Sequence, residues 1–177
     1  MKNLYHPDIY KFHEPIKSYW ENTTSEKFNI EKLKKNESSE ILVIGGGYTG
    51  LLCAINLIEN HGSDVILVDA GKIGWGASSR NAGFCSISSS KMPIKMMKKI
   101  YGNEETTKFF KNSIEGVNFT KDIIEEFKID CDVSGDKGFV VAHHPKKFEE
   151  IKKEADIYSN EFGIQTKIYS KEKFKEI

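Results

Sequence analysis

The chain has 177 residues and a mass of 20.1 kDa, the size of one domain or slightly more. Its 38% hydrophobic content is that of a globular protein and excludes a disordered one. Twenty-six basic and 26 acidic residues cancel, which argues against nucleic acid or an anionic membrane as a partner held by a global field.

Residues 1–39 are polar, with Pro7, Pro15 and a run of charged and small polar residues from Glu21 onward. They read as an arm with little regular structure. The first twenty residues hold charges and prolines but no apolar stretch of the secretory type, so the expected location is cytoplasmic. Ile41-Leu42-Val43-Ile44 is a β-branched apolar run ending in glycine, the pattern of a strand buried on both faces. From Tyr48 to about Asn60, Leu51, Leu52, Ala54, Ile55 and Ile58 recur at helical spacing, and Gly62 stands where a helix stops. Cys53 on this helix is expected as a small core residue. Val65-Ile66-Leu67-Val68 is a second strand of the buried type, ended by Asp69. Together these segments predict a βαβ unit with parallel strands. Residues 41–58 are uncharged over 18 positions, the minimum for a membrane span, but Gly45, Gly46, Gly47 and Asn56 within them favour strand, turn and helix.

Residues 74–90 are rich in Gly, Ser and Ala and predict a long loop of the functional kind. A short helix is expected over 92–101, with Met92, Met96 and Met97 packed inward beneath a lysine-rich solvated face. A longer helix follows over 104–127, carrying Phe110, Ile114, Val117, Ile124 and Phe127 on one stripe. Residues 131–133 and 138–143 read as strands. Residues 146–161 read as an amphipathic helix with Pro145 in its first turn and Gly163 beyond its end. Residues 165–169 suggest another strand. Ser170 is a good N-cap and 171–177 reads as helix, so the sequence stops two turns into a new element, as a piece of a longer protein would.

The chemistry concentrates in two segments. Gly45-Gly46-Gly47-Tyr48-Thr49-Gly50 is a G-x-G-x-x-G between a predicted strand and a predicted helix, and Asp69 lies 19 residues after Gly50. Gly45 supplies the tight turn, Gly47 lets backbone approach a pyrophosphate, and Gly50 lets helix pack on strand. Unpaired N–H groups and the positive end of the helix dipole then face the phosphates. Asp69 is suited to accept from ribose hydroxyls. This fingerprint alone serves NAD and FAD alike. The second segment, Gly74-Trp75-Gly76-Ala77-Ser78-Ser79-Arg80-Asn81-Ala82-Gly83, favours FAD, because an NAD(P)-dependent dehydrogenase would usually follow its second strand with an ordinary helix. Ser78, Ser79 and Arg80 offer donors for phosphate or ribityl oxygens. Arg80 is the only arginine among the 26 basic residues, and a planar bidentate donor is not interchangeable with an ammonium.

The stretches ILVIGGGYTGLLCAINL and VILVDAGKIGWGASSRNAGF resemble the N-terminal FAD-binding segments of the D-amino-acid oxidase-like flavoproteins, in particular the gamma-glutamylputrescine oxidoreductase-like members. Ser18-Tyr19-Trp20, Cys131-Asp132 and the run Gly138-Phe139-Val140-Val141 fit the same subgroup. The resemblance implies an α/β fold, an FAD-binding Rossmann-like βαβ domain followed by the start of a mixed α+β substrate domain. It divides the chain into an arm (1–39), an FAD-binding unit with its glycine- and serine-rich loop (40–90) and an incomplete substrate domain (91–177). It implies that Gly45, Gly46, Gly47, Tyr48, Thr49 and Gly50 hold the FAD pyrophosphate, and Asp69, with Ala70 beside it, the ribose. It also implies that Gly76, Ala77, Ser78, Arg80 and Asn81 line the pyrophosphate and ribityl region, with Ala82, Gly83 and Phe84 towards the isoalloxazine. Family members oxidise a C–N bond of an amine or amino acid by hydride transfer to flavin, and the imine then hydrolyses. They are much longer, which implies a missing C-terminal half as a partner. Two other readings stay open: an NAD(P)-dependent dehydrogenase, and a non-catalytic remnant of a truncated gene.

The remaining candidates have plainer explanations. Three cysteines at wide spacing give neither a disulfide framework nor a zinc site. His143-His144 reads as a surface turn, since no acid or cysteine stands at ligand spacing. Some members of the family attach flavin covalently through His or Cys; nothing in this sequence fixes such a site, and Cys85, just after the second segment, is the one candidate.

Overall fold

The computed structural model describes residues 4–15, 17–24, 30–87 and 91–174. It divides into two compact units, Met1–Phe84 and Cys85–Ile177.

In the first unit the arm is better ordered than its composition suggests. A 3-10 turn at Pro7–Tyr10 is followed by helix α1 (Tyr19–Thr23). Ser18 caps α1, its hydroxyl accepting the Glu21 N–H at 3.0 Å, and it is one of the few buried polar side chains. Strands β1 (Ile41–Ile44) and β2 (Val65–Val68) pair in parallel with Ile41 opposite Val65 and Ile44 opposite Val68. Between them helix α2 (Tyr48–His61) packs on both strands through Ala54, with Leu51, Leu52, Ile55 and Leu57 half-buried. Gly62 ends α2 at φ 62°, its N–H returning to Ile58 O while the Ser63 N–H reaches Leu57 O, so two orphaned carbonyls are satisfied. The βαβ unit with parallel strands is therefore present as expected.

Two expectations for this unit need correction. The strands are not buried on both faces: α2 covers one side only, and Leu42 and Ile44 on the other are 57% and 80% exposed. Cys53 is exposed and its neighbour Ala54 is the core residue, because a one-step change along a helix rotates a side chain by about 100°.

The second unit is helical. Helix α3 (Ile94–Glu126) runs through both helices expected over 92–127, bent at Gly102, where φ 85° and ψ 167° leave the helical region. The Thr106 hydroxyl donates to Gly102 O at 2.7 Å and is fully buried beside the bend. Helix α4 (Pro145–Phe162) starts with proline in its first turn and ends at Gly163, φ 70°, as the sequence indicated. Ile94, Met97, Phe110 and Phe162 form the core between α3 and α4. The rings of Phe110 and Phe162 stack at 4.2 Å, and Tyr158 meets Phe110 edge-on at 5.5 Å. Of the expected stripe only Phe110 is buried; Ile114, Val117 and Ile124 are half-buried and Phe127 is exposed. Met97 points inward while Met96 is half exposed. On the outer face of α4 the Lys147 ammonium, 2.6 Å away, holds the Glu150 carboxyl below the usual carboxylate range.

The strands expected at 131–133, 138–143 and 165–169 do not form. These segments have no ladder partner among the described residues, and the only paired strands there are β1 and β2. A strand is stable only when its backbone groups find a neighbour, which hydrophobic pattern alone does not provide. Ser170 caps a short helix α5 (Lys171–Phe174), and the last three residues of the expected 171–177 helix lie outside the described residues, as do 88–90 of the glycine- and serine-rich loop. Among the described residues no helix is long and apolar enough to cross a membrane.

Candidate nucleotide-binding site

The site is built at the C-terminal end of β1. Gly45 leaves the strand at φ 111°, a conformation that strains any residue with a Cβ, and its N–H still completes the ladder to Val68 O at 2.7 Å. Gly50, one turn into α2, lies so close to this corner that an added Cβ would stand 1.8 Å from Gly45 O. These two glycines have the turn and packing roles that the fingerprint assigned. Asp69 ends β2 and binds the loop directly: one carboxylate oxygen accepts the Gly46 N–H at 2.6 Å, and the other accepts the Gly71 N–H at 2.7 Å. Each oxygen keeps a further lone pair.

Over this corner folds the segment 71–83. The Gly74 N–H donates to Gly46 O at 2.9 Å, and Ala77–Ser79 make a 3-10 turn. That turn brings the Ser78 hydroxyl to the first N–H of α2, where Tyr48 N donates to Ser78 Oγ at 3.0 Å. Gly47 leaves room for this approach, since a Cβ there would sit 2.8 Å from the same hydroxyl. The positive end of the helix dipole thus holds one oxygen acceptor, the Ser78 hydroxyl, against the Tyr48 N–H. An oxygen of a pyrophosphate makes the same demand, so the glycine cradle and its donors fit a dinucleotide.

The rest of the loop is held by its own side chains. Asn81 donates to the carbonyls of Ala77 and Ser78 at 3.1 and 2.9 Å and accepts the Gly83 N–H at 2.7 Å. Arg80 turns back on its own segment: Nε and Nη2 both donate to Trp75 O, and its guanidinium lies 4.1 Å over the Trp75 ring. Thr49, Ala70, Gly76, Ala77, Ala82 and Phe84 are exposed along the loop and helix end, Phe84 at 89%.

Residues of the arm also shape this site; from sequence Trp20 stands out only as part of Ser18-Tyr19-Trp20, with no role, and Phe12 and Glu14 are not singled out. Trp20 donates through Nε1 to Asn81 O at 2.8 Å, and its ring fills the space that a side chain on Gly83 would take. Phe12 meets the Trp75 ring at 5.2 Å, and Trp75 Nε1 donates to Glu14 O at 3.2 Å. The available signal was composition: Phe12 and Trp20 stand with Tyr5, Tyr10 and Tyr19 among the first twenty residues, an aromatic content that an unstructured arm does not need. Among the described residues no three His, Cys, Asp or Glu side chains gather as a metal site. His144 caps α4 through Nδ1, which accepts the Lys146 N–H at 3.2 Å, and Cys85 is an exposed thiol.

A glycine corner closed by an acid at the end of the neighbouring parallel strand defines a dinucleotide-binding βαβ unit. Residues 40–177 match the profile of the family described as FAD dependent oxidoreductase, and the chain belongs to that family, whose cofactor is FAD. It is 32% identical over 150 residues to gamma-glutamylputrescine oxidoreductase of Escherichia coli (strain K12), covering 83% of this chain and 34% of the relative. It is 27% identical over 168 residues to a probable oxidoreductase OrdL of Haemophilus influenzae, covering 94% of this chain and 38% of the relative. A probable oxidoreductase OrdL of Rhizobium meliloti is 30% identical over 118 residues, 67% of this chain and 27% of that protein. The chain therefore spans about a third of the length of these relatives. No solved structure matches it.

Proposed function

We propose that the chain holds the ADP and pyrophosphate portion of FAD for an oxidoreductase acting on the C–N bond of a small amine or amino acid. The observation that carries the binding role is the corner itself: Gly45 at positive φ, Gly50 against Gly45 O, and a helix start at Tyr48 whose N–H holds the Ser78 hydroxyl as its oxygen acceptor. The amine class is supported by the printed name of the Escherichia coli relative. Bound FAD supplies a two-electron acceptor for hydride from the carbon bearing a neutral amine, leaving an imine that water hydrolyses.

The chain's own residues bind and orient. The further N–H groups at the start of α2 would meet phosphate oxygen beside the Ser78 hydroxyl, which already accepts the Tyr48 N–H, and Gly47 leaves room for that approach. Asp69 holds the Gly46 and Gly71 amides and offers its remaining lone pairs to ribose hydroxyls. Ser78, Arg80 and Asn81 fix the loop that continues over the corner, with Ala82, Gly83 and Phe84 leading away towards the flavin ring. Selection of the substrate and turnover require surfaces from the remaining length that such relatives possess, in the same or a partner polypeptide. No nucleic acid or membrane partner belongs to this reading.

The test is to incubate the chain with excess FAD, desalt it and record the visible spectrum. A retained flavin spectrum, with tryptophan emission quenched on titration, is the expected outcome. A folded but colourless protein whose emission ignores FAD sinks the binding role.

A further inference from the structure

The arm contacts the loop at points unrelated to any ligand. Trp20 holds Asn81 O, and the Asn81 side chain in turn holds the Ala77 and Ser78 carbonyls of the turn that carries Ser78 to the start of α2. Phe12 holds the Trp75 ring, on which Arg80 lies. Glu21 pairs with Lys72 at 3.1 Å. Two glycines of the loop are required by these contacts: a Cβ on Gly83 would meet the Trp20 ring at 2.6 Å, and one on Gly71 would meet Phe12 O at 2.9 Å. Gly83, assigned from sequence to the cofactor, thus gives up its side-chain volume to the arm.

We propose that Phe12, Trp20 and Glu21 form a strap that fixes the 71–83 loop over the glycine corner, with Trp20 as the positioning residue for FAD binding. The tie to FAD rests on the function proposed above; the strap itself does not. The Trp20 indole acts through Asn81 and touches the loop on the side of Gly83, so it sets where Ser78 and the following backbone stand. Its hydrogen bond spans 61 residues of sequence and adds to the bonds that the loop makes within itself and to the glycine corner.

Arg80 allows a direct test. As the sole arginine of the chain, it is the one place where an arginine-specific protease cuts, giving fragments 1–80 and 81–177. Its side chain is folded onto Trp75, so cleavage proceeds from the opened loop and reports how often it opens. With Trp20→Ala in the full chain, cleavage is expected to rise about tenfold and FAD affinity to fall about tenfold, the effect of one hydrogen bond with its ring contact. Trp20→Phe keeps a ring but loses the N–H, and should fall between the variant and the parent in both readouts. Hydrogen-exchange protection of α2 and of the β1–β2 ladder should not change, which separates loop opening from unfolding of the first unit. Equal cleavage of the parent and both Trp20 variants overturns the strap. Faster cleavage with unchanged FAD affinity overturns its link to the cofactor. If the parent binds no FAD, the functional reading falls while the cleavage ratio still decides the strap.

Discussion

The two units reach their folds by different means. In the first, the ordering contacts are polar and backbone-centred: Asp69 across Gly46 and Gly71, Ser78 on the Tyr48 N–H, and Asn81 on two carbonyls, around a two-stranded sheet open on one face. In the second, three stacked or edge-on aromatic rings with Ile94 and Met97 fill the seam between α3 and α4, edged by the Lys98–Glu161 ion pair. The first unit therefore depends on glycines and on hydrogen bonds that tolerate little displacement, and the second on volume. A site for a charged, oxygen-rich ligand needs the former, since apolar packing would cover the N–H groups it must present.

The largest expected effect on FAD binding falls where backbone approaches backbone. Gly50→Ala places a Cβ 1.8 Å from Gly45 O, and should cost the first unit about 3 kcal/mol and abolish FAD retention. Far-UV ellipticity from α3 and α4 should persist, and a parent-like FAD spectrum would break the comparison. Phe110→Ala empties the centre of the second seam and should destabilise that unit by about 4 kcal/mol in denaturant melts. FAD quenching of tryptophan emission should survive it, because both tryptophans, Trp20 and Trp75, belong to the first unit. Asp69→Asn retains one acceptor and loses the charge, so about 2 kcal/mol of stability and part of the FAD affinity should go, read by thermal melting and titration. Leu42→Lys should change stability least: its side chain lies on the open face of β1, and thermal midpoints should match the parent's within error.

What the sequence revealed follows the range of the interactions involved. α2 and α4 were readable because their period, their glycine stops and the proline of α4 are local. β1 and β2 were readable because a glycine fingerprint and a closing acid bracket them, and Gly45 and Gly50 have the roles the fingerprint gives them. The expected strands at 131–133, 138–143 and 165–169 failed because apolar alternation names a candidate strand but not its partner. Cys53 failed because the helical pattern fixed a face only to within one residue, and the side of the sheet that α2 leaves open decided the rest. The contacts of Trp20 with Asn81 and Gly83 cross some sixty positions, and no local pattern encodes a meeting at that separation.

The run Gly138-Phe139-Val140-Val141 has consequences of its own. It is β-branched, aromatic, uncharged and free of proline, with Phe139, Val140 and Val141 each more than 60% exposed and no strand beside them among the described residues. Such a segment adheres to copies of itself edge to edge. Concentration, more than temperature, will then govern how long the purified chain stays monodisperse. Dilute handling, or a lysine introduced at Val140, should lengthen its shelf life without touching the glycine corner.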